Sequence, residues 1–139
     1  MLQSTPDFSG VWKMNFERSA LKGPAPKQIV MRIEHREPKL LQEIVVMSEI
    51  GQEQRVTFNF DTTGIEASNS VGGAIGRTRA QWVGRELAIE SWLKIPGREL
   101  HFKDYWSLSS DGQILTMAHR GDDLDGQITV LEKSTHTLQ

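Results

Sequence analysis

The sequence contains no cysteine among its 139 residues. A disulfide framework, a thiolate metal site and a catalytic thiol are therefore all excluded. The formal net charge is only −2, and residues of both signs are scattered along the chain. A nucleic-acid surface needs a basic excess on one face, so no nucleic-acid partner is expected. These absences remove cysteine chemistry and nucleic-acid binding from consideration.

Long apolar runs are missing as well. No run approaches the roughly 18 residues of a membrane helix, so no membrane span is expected. Residues 1–10 lack a basic start followed by an apolar run, so no secretion signal is visible. The location stays open between the cytoplasm, which is the default, and that of a mature form whose leader has been removed. No window shows helical periodicity, which leaves β-structure as the prediction.

Turn signals recur at short, regular intervals, and apolar and polar residues alternate between them. This pattern predicts an all-β antiparallel meander of about ten strands. The predicted strands are 10–16, 28–36, 40–47, 52–60, 65–71, 74–83, 85–93, 98–108, 113–120 and 127–133. Proline and glycine in 17–27 predict an irregular crossing with at most one helical turn. A chain of 139 residues is the length of one domain, here with loose termini expected at 1–8 and 134–139.

The hairpin predicted over 100–119 proposes a polar site. Asp111 and Gly112 favour a two-residue loop, because both residue types tolerate positive φ angles. This loop places Asp104 directly opposite His119, with Cβ atoms about 5 Å apart, on an otherwise apolar face. The pair either satisfies its own hydrogen bonds or carries a function, and the sequence leaves both interpretations open.

The other turns can be placed in the same way, and the inner face of each strand then follows. The turns used are 37–39, 50–51, 63–64, 72–73, 83–84 and 96–97. In this register Glu43 faces Phe58 on the inside, and Phe58 faces Asn69 on the next strand. Thr78 faces Ile89. A meander that is apolar inside and polar outside hides its edges best by closing into a barrel, and a barrel of about eight or more strands can hold one small ligand.

The predicted inner face carries a few polar side chains among apolar ones. The polar candidates are His35, Glu43, Asn69, Asp104 and His119. The other residues expected to line the cavity are Phe58, Phe60, Gly76, Thr78, Ile89, Ser91, Phe102, Trp106 and Met117. A mostly apolar cavity with a few convergent polar groups is typical of a small-molecule site. Gly76 either leaves room for a ligand or bends the barrel.

Three activities can be built from these residues. In the first, the cavity binds a small hydrophobic molecule that the polar groups orient. In the second, Asp104 fixes the tautomer of His119, whose other nitrogen acts as a general base while Asn69 or His35 polarises a carbonyl, as in a hydrolase, isomerase or lyase. In the third, His35 and His119 bind zinc or iron with Asp104 or Glu43. We predict binding, keep the enzyme as the alternative, and expect neither a metal nor another cofactor.

The segment 7–13 opens the first strand with the pattern Gly10-x-Trp12, which resembles the calycin superfamily of lipocalins and fatty-acid-binding proteins. The segments 84–91 and 104–112 are similar to small bacterial lipocalin-like domain proteins. The resemblance implies a barrel with Trp12 packed across its closed end. The helical pair and the arginine–tyrosine carboxylate site of fatty-acid-binding proteins have no counterpart in this sequence.

Trp92 is predicted to point outward beside Glu90 and Lys94. An exposed tryptophan marks either a dimer contact or a partly covered surface aromatic, so a monomer and a homodimer both stay open. His101 and His136 lie outside the inner set, and we assign them no role.

Overall fold

The computed structural model describes residues 5–71 and 74–134, and within them the only helical element is the short 3-10 turn Asp122–Leu124. The ten strands are β1 (Gly10–Met14), β2 (Gln28–Arg36), β3 (Lys39–Met47), β4 (Glu53–Asp61), β5 (Ala67–Val71), β6 (Ala74–Val83), β7 (Glu86–Ile95), β8 (Arg98–Leu108), β9 (Ile114–Arg120) and β10 (Ile128–Ser134). The prediction of an all-β antiparallel meander is confirmed. The strand ends lie close to the predicted ones and differ most at the end of β1, the start of β5 and the end of β7.

All ten strands belong to one antiparallel sheet in the order β4-β3-β2-β1-β10-β9-β8-β7-β6-β5. The first and last strands of the chain therefore pair with each other, which curls the sheet into a nearly closed barrel. The sheet ends at β4 and β5, which share no ladder. The predicted pairing of Phe58 with Asn69 across these two strands is thus wrong, and a seam runs down the barrel wall.

The side chain of Asn69 bridges this seam. Its Oδ1 accepts a hydrogen bond from the backbone N–H of Asn59 at 2.7 Å, and its Nδ2 donates to the Asn59 carbonyl at 3.0 Å. One side-chain amide therefore satisfies both backbone groups that a ladder partner would otherwise satisfy. It holds β4 and β5 together where their backbones do not pair.

One end of the barrel, called the closed end below, is filled by the rings of Phe8, Trp12, His35 and Trp82. Phe8 stacks on His35 and Trp82 with ring centroids 5.7 and 5.9 Å away. Trp12 is fully buried, and its indole N–H donates to the Phe8 carbonyl at 2.9 Å. Phe8 is also fully buried, so the loose terminus expected over 1–8 is wrong for this residue.

The β1–β2 connection, residues 15–27, contains one turn and no helix, as predicted. It is tied to the start of β10: Ala20 and Ile128 exchange backbone hydrogen bonds of 2.8 and 3.0 Å. The Ser19 hydroxyl accepts a further bond from the Val130 N–H at 2.8 Å. In the part of the chain that the structure describes, no helix has the length and apolar character needed to cross a membrane.

The inward-facing side of β3 was predicted wrongly, because its pairing with β2 and its pairing with β4 were each predicted one residue out of register. Arg36 pairs with Lys39, so the β2–β3 loop has two residues and not three. Met47 pairs with Glu53, so the β3–β4 loop spans 48–52, and Gly51 provides its positive φ of 84° at the end of the turn. A shift of one residue turns every side chain of a strand to the other face.

The two errors cancelled, and the strands on either side of β3 kept their predicted inner faces. The β6–β7 loop lies one residue later than predicted, because Gly84 with φ of 63° takes the first loop position and not the second. The pairing of β6 with β7 shifts by two residues as a result. The same side chains of β7 stay on the inner face, but Thr78 opposes Ser91 and not Ile89. The predicted turn at 72–73 lies outside the described residues.

Candidate functional site

A cavity of about 230 Å³ lies inside the barrel. Its apolar wall consists of Met31, Ile44, Phe58, Phe60, Ile89, Trp92, Leu93, Phe102, Trp106 and Met117. The polar side chains at its wall are Gln42, Asn69, Thr78, Ser91 and Asp104. All nine residues that were predicted to line a cavity border this cavity. That a ligand contacts them stays a prediction. Of the five polar candidates, Asn69 and Asp104 border the cavity, whereas His35, Glu43 and His119 do not.

Glu43 lies on the outer face of β3, as a result of the register shift. Its carboxylate is 3.7 Å from Nε of Arg32 and 3.7 Å from Nη1 of Arg55. Gln42 takes the predicted inner position, is 4% exposed, and donates from Nε2 to Sδ of Met31 at 3.3 Å. Sequence reasoning missed Gln42 because a loop one residue longer or shorter fits the same turn residues.

His35 belongs to the closed end and not to the cavity. Its Nδ1 accepts the Phe8 backbone N–H at 3.2 Å, so the proton must sit on Nε2, which lies 2.6 Å from Oε1 of Glu37. Burial opposes ionisation of Glu37, but hydrogen bonds from His35, Thr62 and Trp82 outweigh it and lower the pKa of this carboxyl. The contacts of His35 are those of a structural residue, and the predicted role of polarising a carbonyl in the cavity has no geometric basis.

Asp104 and His119 pair as predicted, directly opposite each other on β8 and β9. Nδ1 of His119 lies 2.7 Å from Oδ1 of Asp104, and Nε2 lies 3.0 Å from Oδ1 of Asp122, in the 3-10 turn. When both carboxylates are ionised, each accepts a hydrogen bond from one ring nitrogen, and the ring is then an imidazolium. The three side chains form a charged cluster beside the cavity.

The pKa directions within this cluster follow from burial and charge. Burial lowers the pKa of His119, but the charges and hydrogen bonds of Asp104 and Asp122 outweigh it and raise that pKa overall. Burial raises the pKa of Asp104, the nearby imidazolium of His119 opposes this, and the charge of Asp122 adds to the rise.

The general-base hypothesis requires a free nitrogen on His119, and Asp122 occupies that nitrogen. Sequence reasoning missed Asp122 because it assigned no role to residues 121–126, between the predicted strands 113–120 and 127–133. The acidic pair that follows His119 closely in sequence was the available signal. Among residues 5–71 and 74–134, no group of three or more histidine, aspartate or glutamate side chains is arranged to hold a metal ion. His136 lies outside the residues that the structure describes.

Thr78 carries a buried hydroxyl whose hydrogen-bonding capacity is unsatisfied. The residue is 5% exposed, and its Oγ1 is buried with no hydrogen-bond partner among residues 5–71 and 74–134. Native proteins rarely leave a buried hydroxyl unpaired, because doing so costs about 1–3 kcal/mol. Thr78 faces Ser91 across β6 and β7, and both residues border the cavity.

Trp92 lies on the outer face of β7, as predicted. The guanidinium carbon of Arg77 is 4.6 Å from its ring centroid, and the His101 ring stacks on it at 5.1 Å with an interplanar angle of 6°. The flanking strands β6 and β8 supply these two neighbours, so Trp92 is a partly covered surface aromatic. A dimer contact at this position stays a prediction.

No protein-family model matches the chain, and no curated protein matches it. The solved structures with similar folds include the following three. The fluorescent protein UnaG is 15% identical with a TM-score of 0.58, over 91% of this chain and 97% of that one. A secretory abundant heat soluble (SAHS) protein from Ramazzottius varieornatus is 14% identical with a TM-score of 0.66, over 94% of this chain and 98% of that one.

Secretory abundant heat soluble protein 4 from the same organism is 14% identical with a TM-score of 0.60, over 98% of this chain and 99% of that one. The matched structures are lipocalin-like or fatty-acid-binding-protein-like barrels, and at these identities the likeness concerns the fold alone. Taken with the ten-stranded, nearly closed antiparallel sheet, it shows that the chain has the calycin-type fold.

Proposed function

We propose that this protein binds a small, predominantly apolar molecule inside the barrel. The cavity is lined mainly by aromatic and aliphatic side chains, with a few polar groups among them. That composition is typical of ligand sites, and barrels of this size hold one small ligand in their interiors. The volume of about 230 Å³ lies just below the usual range of about 300–1,000 Å³, which favours a compact ligand.

The observation that carries the proposal is the unpaired hydroxyl of Thr78. A purely structural cavity would be expected to be apolar throughout, or to pair its polar groups with one another. Thr78 instead borders an apolar space, and its Oγ1 is buried without a hydrogen-bond partner among the described residues. A ligand with one hydrogen-bonding group satisfies that hydroxyl while its apolar body fills the cavity.

Titration with phenylnaphthylamine, a neutral fluorophore, tests the proposal. We expect a saturable rise in fluorescence with the wild-type protein, and displacement of the probe by n-octanol. Thr78→Phe fills the cavity and should abolish the rise. Thr57→Phe makes the same change at an exposed position on the outer face of β4 and should leave it intact.

The proposal is wrong if the wild-type protein takes up neither phenylnaphthylamine nor n-octanol saturably. It is also wrong if a folded Thr78→Phe protein takes up the fluorophore as well as the wild type does. Native mass spectrometry of the purified protein complements the titration, since a retained small molecule would identify the chemical class directly.

A further inference from the structure

We infer that the polar group of the ligand is a hydrogen-bond donor, a hydroxyl or an amine, and that the cavity discriminates against carboxylates. The inference rests on the proposed function and concerns the same cavity. It follows from the charges that face the cavity and from the polar side chains that cross its wall.

The charged cluster at the cavity wall has an excess of negative charge. Asp104 borders the cavity, and the cluster sets two carboxylates, Asp104 and Asp122, against the single imidazolium of His119. The positive charge of His119 is held by hydrogen bonds to both carboxylates, at 2.7 and 3.0 Å. The cluster therefore has no cation free to receive an anionic ligand, and it presents an acceptor to the cavity.

A second possible cation, Arg77, is directed away from the cavity. It is the only basic residue among the described residues that border the space. Its guanidinium group lies over the outer-face ring of Trp92, and Nη1 is 3.0 Å from Oε1 of Glu66. A carboxylate inside the barrel would thus be buried without a positive partner, which strongly disfavours the charged form.

Three polar side chains cross the inner wall on consecutive strands. Thr78 on β6 faces Ser91 on β7, and Asp104 on β8 is a diagonal neighbour of Ser91. Diagonal neighbours are about 7–8 Å apart, within the reach of one ligand group and the side chains around it. A hydroxyl or an amine placed between Ser91 and Asp104 donates to the Asp104 carboxylate, with Thr78 on the strand beyond Ser91.

A series of ligands that differ only in the polar group tests the inference. Isothermal titration calorimetry at neutral pH would compare n-octylamine, n-octanol and n-octanoate, which share one alkyl chain. We expect n-octanoate to bind at least about tenfold more weakly than n-octanol, and n-octylamine to bind at least as well as n-octanol. Binding of n-octanoate as tight as that of n-octanol would overturn the inference.

The Asp104→Asn variant tests the cause of the discrimination. Removing this charge should reduce the preference for n-octanol over n-octanoate by about fivefold or more. Asp123→Asn is the matched control, because Asp123 lies in the same 3-10 turn as Asp122 with an exposed carboxylate that pairs with Arg98. This control should keep the wild-type preference, and an unchanged preference in folded Asp104→Asn protein would contradict the inference.

The outcomes separate the two proposals. If none of the three octyl compounds binds, the proposed function fails. If all three bind with equal affinity, the proposed function stands and the inference about the polar group fails. Should Asp104→Asn not fold, the wild-type series alone decides whether n-octanol binds more tightly than n-octanoate.

Thr78→Val, which replaces the hydroxyl with a methyl group, then tests the polar side chains Thr78, Ser91 and Asp104. This variant should weaken the binding of n-octanol more than the binding of n-octane.

Discussion

The hydroxyl of Thr78 is expected to lower the stability of the fold and is proposed to bind the ligand. Its hydroxyl is buried and unpaired in the protein without ligand. A residue in this situation lowers the stability of the fold, and it is retained where binding needs it. Replacing this hydroxyl should therefore raise the stability of the fold and lower the affinity for the proposed ligand.

Thr78→Val should stabilise the ligand-free protein by about 1–3 kcal/mol, because a methyl group replaces an unsatisfied hydroxyl of similar size. Urea unfolding monitored by tryptophan fluorescence measures this change. Binding of n-octanol should weaken in the same variant. Thr57→Val, at an exposed position on the outer face, should alter neither quantity, and a Thr78→Val protein less stable than the wild type would contradict the expectation.

His119 should make stability depend on pH. Its pKa in the folded protein is raised above the ordinary value of 6.5, so folding favours the protonated ring. This contribution is fully present below pH 6.5 and is lost as the pH rises through the folded-state pKa. Thermal melts between about pH 6 and pH 9 should therefore show a falling melting temperature in the wild type and a flatter profile in His119→Gln.

The control for this experiment is His101→Gln. His101 lies on the outer face beside Glu90, with a side chain that is 54% exposed. Its replacement should leave the slope of the pH profile at the wild-type value. Equal slopes for His119→Gln and the wild type would show that the charged cluster does not contribute to the pH dependence. NMR titration of the imidazole signals gives a direct second measurement.

At the scale of elements, the seam between β4 and β5 is the weakest part of the barrel wall. Elsewhere adjacent strands exchange backbone hydrogen bonds along their length, whereas these two strands are connected through the side chain of Asn69. A single side chain thereby makes hydrogen bonds that backbone groups make between other adjacent strands. The seam is also the boundary between the two halves of the cavity wall, since Phe58 and Asn69 lie on either side of it.

Asn69→Ala should destabilise the protein by about 1–2 kcal/mol, because the N–H and the carbonyl of Asn59 both lose their partner. Hydrogen exchange of the Asn59 amide should accelerate more than that of amides in β9, which lies far from the seam in strand order. Ser70→Ala is a control on the outer face of the same strand and should change neither quantity. Unchanged exchange at Asn59 in Asn69→Ala would show that the side chain does not hold the seam.

At the scale of the whole molecule, the barrel separates two functions in space. The closed end is packed with rings and hydrogen bonds around Phe8 and His35, and the cavity occupies the region between β2–β4 and β5–β9. The rings at the closed end therefore stabilise the fold without bordering the cavity, whereas the residues around the cavity would contact the proposed ligand.

Ligand binding should stabilise the whole fold. At a free ligand concentration of about 100 times Kd, the gain is about 2.7 kcal/mol, provided that the ligand binds only the folded state. The melting temperature of the wild type should therefore rise with the concentration of n-octanol. Thr78→Phe should show no such rise, and Thr57→Phe should behave as the wild type; a rise of the same size in Thr78→Phe would indicate binding outside the cavity.

The sequence by itself determined the all-β class, the ten strands and the pairing of Asp104 with His119, because alternation of apolar and polar residues and the turn residues are local signals. It did not determine the face of β3, since Gly51 fits either of two turn positions and one residue of shift exchanges Glu43 for Gln42. Only the tertiary structure decided the seam and the second partner of His119. Both depend on contacts between residues that no local pattern relates: the Asn69 side chain with the backbone of Asn59, and the carboxylate of Asp122 with Nε2 of His119.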